Sequence, residues 1–190
     1  MKRILLNSVA MGLFGLLLAV GLMAGAVPAA AGTAAEIDKE VALALEKLYA
    51  ASPAAVELAK VSKGVLVFPD VVKAGLIIGG QYGEGALLVD GKTAGYYNTV
   101  AASYGLQAGA QSFGYAMFLM NSDSLNYLKK SEGWEVGVGP TVVVMDEGLA
   151  KSLTTSTAKE DIYAFIFGQK GLMAGIGIQG SKITKITPGK

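Results

Sequence analysis

The chain of 190 residues contains no cysteine and no histidine. That removes thiolate nucleophiles, disulfides, imidazole bases and the usual zinc or copper ligand sets, so a Ser-His-Asp triad is impossible. Arg3 is the only arginine, and no bidentate guanidinium clamp for phosphate or carboxylate exists beyond the N-terminus. An excess of one charge is missing as well: sixteen basic residues face fifteen acidic ones, scattered without a block of either sign. Nucleic-acid binding needs a basic stripe to displace counterions, and none is present. Present instead are 26 glycines and a 52% share of hydrophobic residues, enough to bury one core.

Lys2 and Arg3 precede an apolar run from Ile4 to Ala26, followed by Pro28 and Ala29-Ala30-Ala31-Gly32. A basic start, a Leu-rich centre and small residues at Ala29 and Ala31 describe a secretory signal peptide cut after Ala31. The competing expectation is a retained anchor, because the run is nearly long enough to span a bilayer. No cysteine follows the run to carry a lipid. The domain plan is therefore a signal peptide at 1–31 and a single domain at 32–190, exported to the periplasm or cell envelope. Loss of Lys2 and Arg3 turns the formal charge from +1 to −1.

Thr33-Ala34-Ala35-Glu36 fits a capping box, and Ile37, Val41, Ala44, Leu45 and Leu48 recur on one face, which predicts a helix over 36–50. Ser52-Pro53 predicts the start of a second helix that ends near Gly64. From there short apolar runs alternate with turn signals, and strands are expected near 64–68, 74–82, 84–90, 94–102, 104–111, 113–119, 134–145, 162–168, 171–179 and 181–186. Asp90-Gly91 is a hairpin signal. Asn121-Ser122-Asp123 caps a short helix over 123–130, ended by Lys129-Lys130, and 146–160 reads as an exposed loop with a helical turn. Glycines inside strands mark bends and close approaches. The expected fold is α+β: a strongly curved, Gly-rich antiparallel sheet or partial barrel, with N-terminal helices and one or two short helices packed on it.

Two motifs invite over-reading. Gly175-Ile176-Gly177-Ile178-Gln179-Gly180 spells a dinucleotide fingerprint, yet the ten residues after it leave no room for the helix, strand and acidic residue that such a site requires. Gly91-Lys92-Thr93 ends like a phosphate-binding loop but follows an apolar run, and a hairpin turn explains it better. The pairs Asp146-Glu147 and Glu160-Asp161 are expected to be solvated, and Ser103, Ser112 and Tyr104 have no local base apart from Lys or a carboxylate. No catalytic residue, metal site or cofactor is assigned. Trp134, after Lys129 and Lys130, is either a core aromatic opening a strand or an anchor at a lipid interface.

Several stretches together resemble the SYLF domain, a lipid-binding family: KGVLVFP at 63–69, VKAGL at 72–76, GGQYGEG at 79–85, YGLQAGAQSFGYAMFLMNSDSL at 104–125, VGVGPTVVV at 136–144 and KGLMAGIGIQGSKI at 170–183. Their order and spacing cover about 40–186. The resemblance implies a curved antiparallel α+β fold and non-enzymatic binding of membrane lipid, through a phospholipid or phosphoinositide-like headgroup. Some eukaryotic members also bind actin. The matching N-terminal helix here mixes Glu and Lys and offers no basic face. The expected headgroup contacts are Lys63, Lys73, Lys92, Lys129 and Lys130, with Trp134 as interfacial anchor. The alternative is a structural or interaction module with an envelope protein partner and incidental lipid affinity.

Overall fold

The structure is a computed structural model that describes residues 31–145, 150, 157–171, 178 and 180–189, without the side chains of 76, 77 and 103–108. The expected signal segment up to residue 30, most of the expected loop at 146–160 with Asp146-Glu147, most of the expected strand at 171–179, and most of the GIGIQG run lie outside the described residues.

Helix α1 (Ala34–Ala51) opens on the capping box, with Thr33 accepting from Glu36 N and the Glu36 carboxylate accepting from Thr33 N. Helix α2 (Pro53–Val61) takes Ser52 as its cap and Pro53 in its first turn, where the missing N–H costs nothing. No helix among the described residues is long and apolar enough to cross a membrane.

Two long strands then build most of the domain: β1 (Gly64–Val89) and β2 (Lys92–Leu119). They form one antiparallel hairpin, registered from Val89↔Lys92 to Gly64↔Leu119. Its turn is Asp90-Gly91, both at positive φ (50° and 73°), the primed geometry whose twist matches the flanking strands. The sequence pattern breaks β1 after residue 68. In the structure the strand continues, and Pro69-Asp70 forms a bulge between the pairs Phe68↔Tyr115 and Val71↔Phe113. A bulge is where proline's missing donor is tolerated.

Near its middle the hairpin doubles back. A Cβ built on Gly75 would overlap Gly79, one on Gly83 would meet Val71 Cγ2 at 2.7 Å, and one on Gly64 would meet Leu88 O at 3.2 Å. The first and second halves of β1 therefore run side by side along a seam. At Gly85 the backbones approach so closely that a methyl group would overlap Val67 O.

Helix α3 (Ser122–Lys130) follows, capped by Asn121. The expected strand at 134–145 is two short strands, β3 (Trp134–Glu135) and β4 (Val142–Met145), parted by turns. Strand β5 (Ile162–Gly171) lies against the second half of β2, and β6 (Lys182–Ile186) against the first half. β3 extends the sheet beside β6, and β4 extends it beside β5, giving six strands among the described residues. One pair departs from the expected antiparallel sheet: β4 and β5 are parallel, Val142↔Ile162 to Met145↔Phe165.

Both faces of the sheet are covered near the helices. Leu66, Phe68, Phe113, Tyr115, Met117, Leu119, Tyr97 and Ile183 fill the inside of the curl, closed by Leu128 of α3 and by Trp134. Val65, Val67, Ala116, Phe118 and Phe165 point outward and meet Ile37, Val41, Leu45 and Leu58 of α1 and α2. Two-sided burial is why these segments read as continuous apolar runs. Thr93 Oγ1 and Tyr96 Oη donate to the two carboxylate oxygens of Asp38 at 2.8 and 3.0 Å, tying the turn end of the hairpin to α1.

Candidate functional site

At the bend end the helices no longer cover the sheet, and outward side chains meet solvent. Val72 pairs with Ser112 and Ser112 with Lys170, which places the three in one row across β1, β2 and β5. On the other half Tyr82 pairs with Val100 and Val100 with Lys182, a second row across β1, β2 and β6. Directly paired residues present their side chains on the same face. Gly83 lies against Val71 and Asp70 O at the seam, so the rows meet there. The result is a belt with an apolar centre and an exposed lysine toward each end. Val72 is 50% exposed, and Ile78, at the crest of the bend, is 70% exposed.

Carboxylates are sparse around the belt. Between Asp70 and Glu84, between Asp90 and Asp123, and from residue 162 onward, the sequence holds no carboxylate. Glu84 borders the belt and is already engaged: Tyr82 Oη donates to its Oε1 at 2.6 Å. Burial, together with that bond to the carboxylate and its charge, pushes the Tyr82 phenol up to about 12, so it remains a neutral donor at any physiological pH. At the β3 margin Glu135 pairs with Lys182 in the ladder.

The residues singled out in the sequence separate into three places. Lys63 immediately precedes β1, donating its backbone N–H to Leu119 O at 2.7 Å, and Lys92 follows the hairpin turn. Lys129 and Lys130 occupy the last turn of α3, where cations complement the helix dipole. All four are exposed and lie toward the helix-bearing end, because Gly64 sits beside Leu88 and Leu125. That end is about 35 Å along the strand from the bend. Lys73 is elsewhere: it is 9% exposed, on the inward row with Gln111. Trp134 is also internal, 2% exposed, with its indole Nε1 donating to Val138 O at 2.9 Å and its ring edge-on to Tyr127. It is the core aromatic of the two alternatives.

The inner wall behind the belt is polar. Gln81 Nε2 donates to Ser181 Oγ at 3.0 Å, and Tyr115 Oη donates to Thr99 Oγ1 at 2.8 Å, all four residues buried. Buried Gln111 Nε2 has no partner among the described residues. Lys170 and Lys182 could not be singled out from sequence, since only strand register sets them beside Val72 and Tyr82.

Residues 100–187 match the family model described as Ysc84, a Las17-binding protein actin regulator. This match agrees with the SYLF resemblance of the sequence. The match covers the later stretches that resemble SYLF sequences, and in the structure it spans most of β2 and everything to the end of β6. The earlier stretches at 63–85 precede it and form the hairpin partner of β2. The curled sheet with helices on it is the α+β fold expected of a SYLF domain. No curated protein matches the chain.

Proposed function

We propose that this domain binds the surface of an anionic membrane without catalysing a reaction. The observation that carries this reading is the belt: exposed Val72, Ile78, Tyr82 and Val100 flanked by Lys170 and Lys182, with Glu84 and Glu135 at its margins. Apolar side chains at a bend enter the boundary between headgroups and acyl chains, and each lysine near an anionic surface contributes on the order of 1 kcal/mol. The resemblance to lipid-binding SYLF domains supports the same reading. Lys63 and Lys92 lie toward the helix-bearing end, Lys129 and Lys130 close α3 just before Gly133, against which the Lys182 side chain lies, and Lys73 and Trp134 stay inside.

The setting that fits the N-terminal sequence is the bacterial cell envelope, reached through the signal at 1–31. Actin, named in the description of the matched family, is cytoplasmic and would not meet an exported chain.

The test is co-sedimentation of the protein, recovered from an exporting host, with zwitterionic and anionic liposomes at low and high salt. Binding to anionic vesicles that fades with salt is expected, with Lys170→Gln plus Lys182→Gln weakening it roughly 10- to 30-fold. Loss that follows Lys129→Gln plus Lys130→Gln instead would keep lipid binding and move it to the helix end. No binding to any vesicle would overturn the membrane reading in favour of an envelope protein partner.

A further inference from the structure

The first described residues form a seat. Gly32 N donates to Glu84 Oε2 at 2.9 Å, while Tyr82 Oη holds the other carboxylate oxygen. Gly32 O accepts from Gly189 N at 3.0 Å, and Thr33 forms a parallel bridge with Gly189, so the tail of the domain clasps the same residue. A Cβ at position 32 would stand 3.2 Å from Ile37 Cγ1 and 3.3 Å from Glu84 Oε2, so a larger residue would require those two side chains to shift by a few tenths of an ångström.

A partly buried carboxylate held only by neutral donors, the Gly32 N–H and the Tyr82 hydroxyl, is poorly matched, because ionised acceptors gain most from charged donors. The peptide bond before Gly32 is also where the sequence places signal cleavage, after the small residues Ala29 and Ala31. We infer that hydrolysis of the Ala31–Gly32 bond creates an α-ammonium at Gly32 which Glu84 receives as an ion pair. In that step a signal-type peptidase and one water break the C–N bond. The hydroxyl goes to the Ala31 carbonyl carbon and a proton to Gly32 N, and the new amine takes a second proton from solvent.

A cation at the start of α1 opposes the helix dipole. Two carboxylates offset it: Glu84 directly, and Glu36 one residue away through its bond from Thr33 N at 2.9 Å. The domain thus reads its own maturation, and the mature N-terminus becomes part of the fold. This inference rests on the export reading above.

The experiment expresses the full chain in an exporting bacterial host and determines the N-terminus by intact mass and N-terminal sequencing. Melting temperatures are then compared for the processed protein and for a chain whose cleavage is blocked by Ala31→Leu, each with and without Glu84→Gln. The expected result is a chain beginning at Gly32, in which Glu84→Gln lowers Tm by about 2–4 °C. In the blocked chain, where only neutral donors face residue 84, the drop should be less than half of that. Cleavage at another bond, or an equal drop in both chains, overturns the inference and leaves export standing. Absence of any processing, with the chain retained in the cytoplasm, overturns both.

Discussion

Tyr115 Oη donates to Thr99 Oγ1 at 2.8 Å across the interior, joining the two halves of β2 that the bend brings face to face. Both residues are fully buried, so losing one partner leaves a hydroxyl without water or a substitute. Tyr115→Phe and Thr99→Val should each cost about 1–3 kcal/mol in urea unfolding. The double variant should cost clearly less than their sum, because no orphan remains. Strict additivity would mean the bond does not couple the halves.

Asp161 ties three elements together. Its carboxylate accepts from Thr141 N and Oγ1 ahead of β4 and from Asn121 Nδ2 at the cap of α3. These bonds, the Thr141 amide foremost, hold its pKa below the usual aspartate value. A depressed carboxylate pKa stabilises the fold above its unfolded value, about 3.9, and that contribution vanishes as pH falls through the lower folded value. Asp161→Asn should therefore be less stable than the parent at pH 7, with the gap closing below about pH 4. Unfolding midpoints against pH measure it, and a gap that widens on acidification would contradict this origin.

Gly85 and Gly91 offer a controlled contrast. A methyl at Gly85 overlaps the backbone oxygen of Val67 at the seam, whereas at Gly91 it meets open space and only the positive φ opposes it. Gly91→Ala should cost about 1–2 kcal/mol. Gly85→Ala should cost more than about 4 kcal/mol and leave little soluble protein. Similar melting temperatures for the two would remove the seam from the fold.

Trp134, the sole tryptophan, reports on the helix end of the core. Its emission should remain that of a buried indole when the protein binds vesicles, unaffected by brominated acyl chains. Trp134→Ala should cost about 3–5 kcal/mol in stability. Quenching by lipid would place the ring at the interface instead.

Much of the architecture was legible in the sequence because its signals are local. Thr33 with Glu36, Ser52 with Pro53 and Asn121 mark helix starts within four residues, and Asp90-Gly91 marks the hairpin turn. Continuity through Pro69-Asp70 was not legible, since a bulge and a chain break share those residues. The parallel pairing of β4 with β5 depends on a crossover whose geometry no local pattern encodes. For the belt the obstacle is register: Lys170 and Lys182 reach Val72 and Tyr82 only through a middle strand. Lys73 misleads for a different reason. Near the bend the interior is polar, with Gln81, Gln111 and Thr99, so the usual alternation of apolar-in and polar-out inverts there.

The single long hairpin also dictates an order of assembly. Starting from Asp90-Gly91, each new β1–β2 pair closes a loop only slightly longer than the last, so the ribbon can zip at small entropic cost per step. Everything needed for that ribbon is present once residue 119 has been made. β6 must cross a far larger separation to reach Tyr96–Val100, and its late arrival completes the flank that carries Lys182. Until then an open strand edge stands exposed, and the newborn chain is most vulnerable to pairing with a neighbour in that interval.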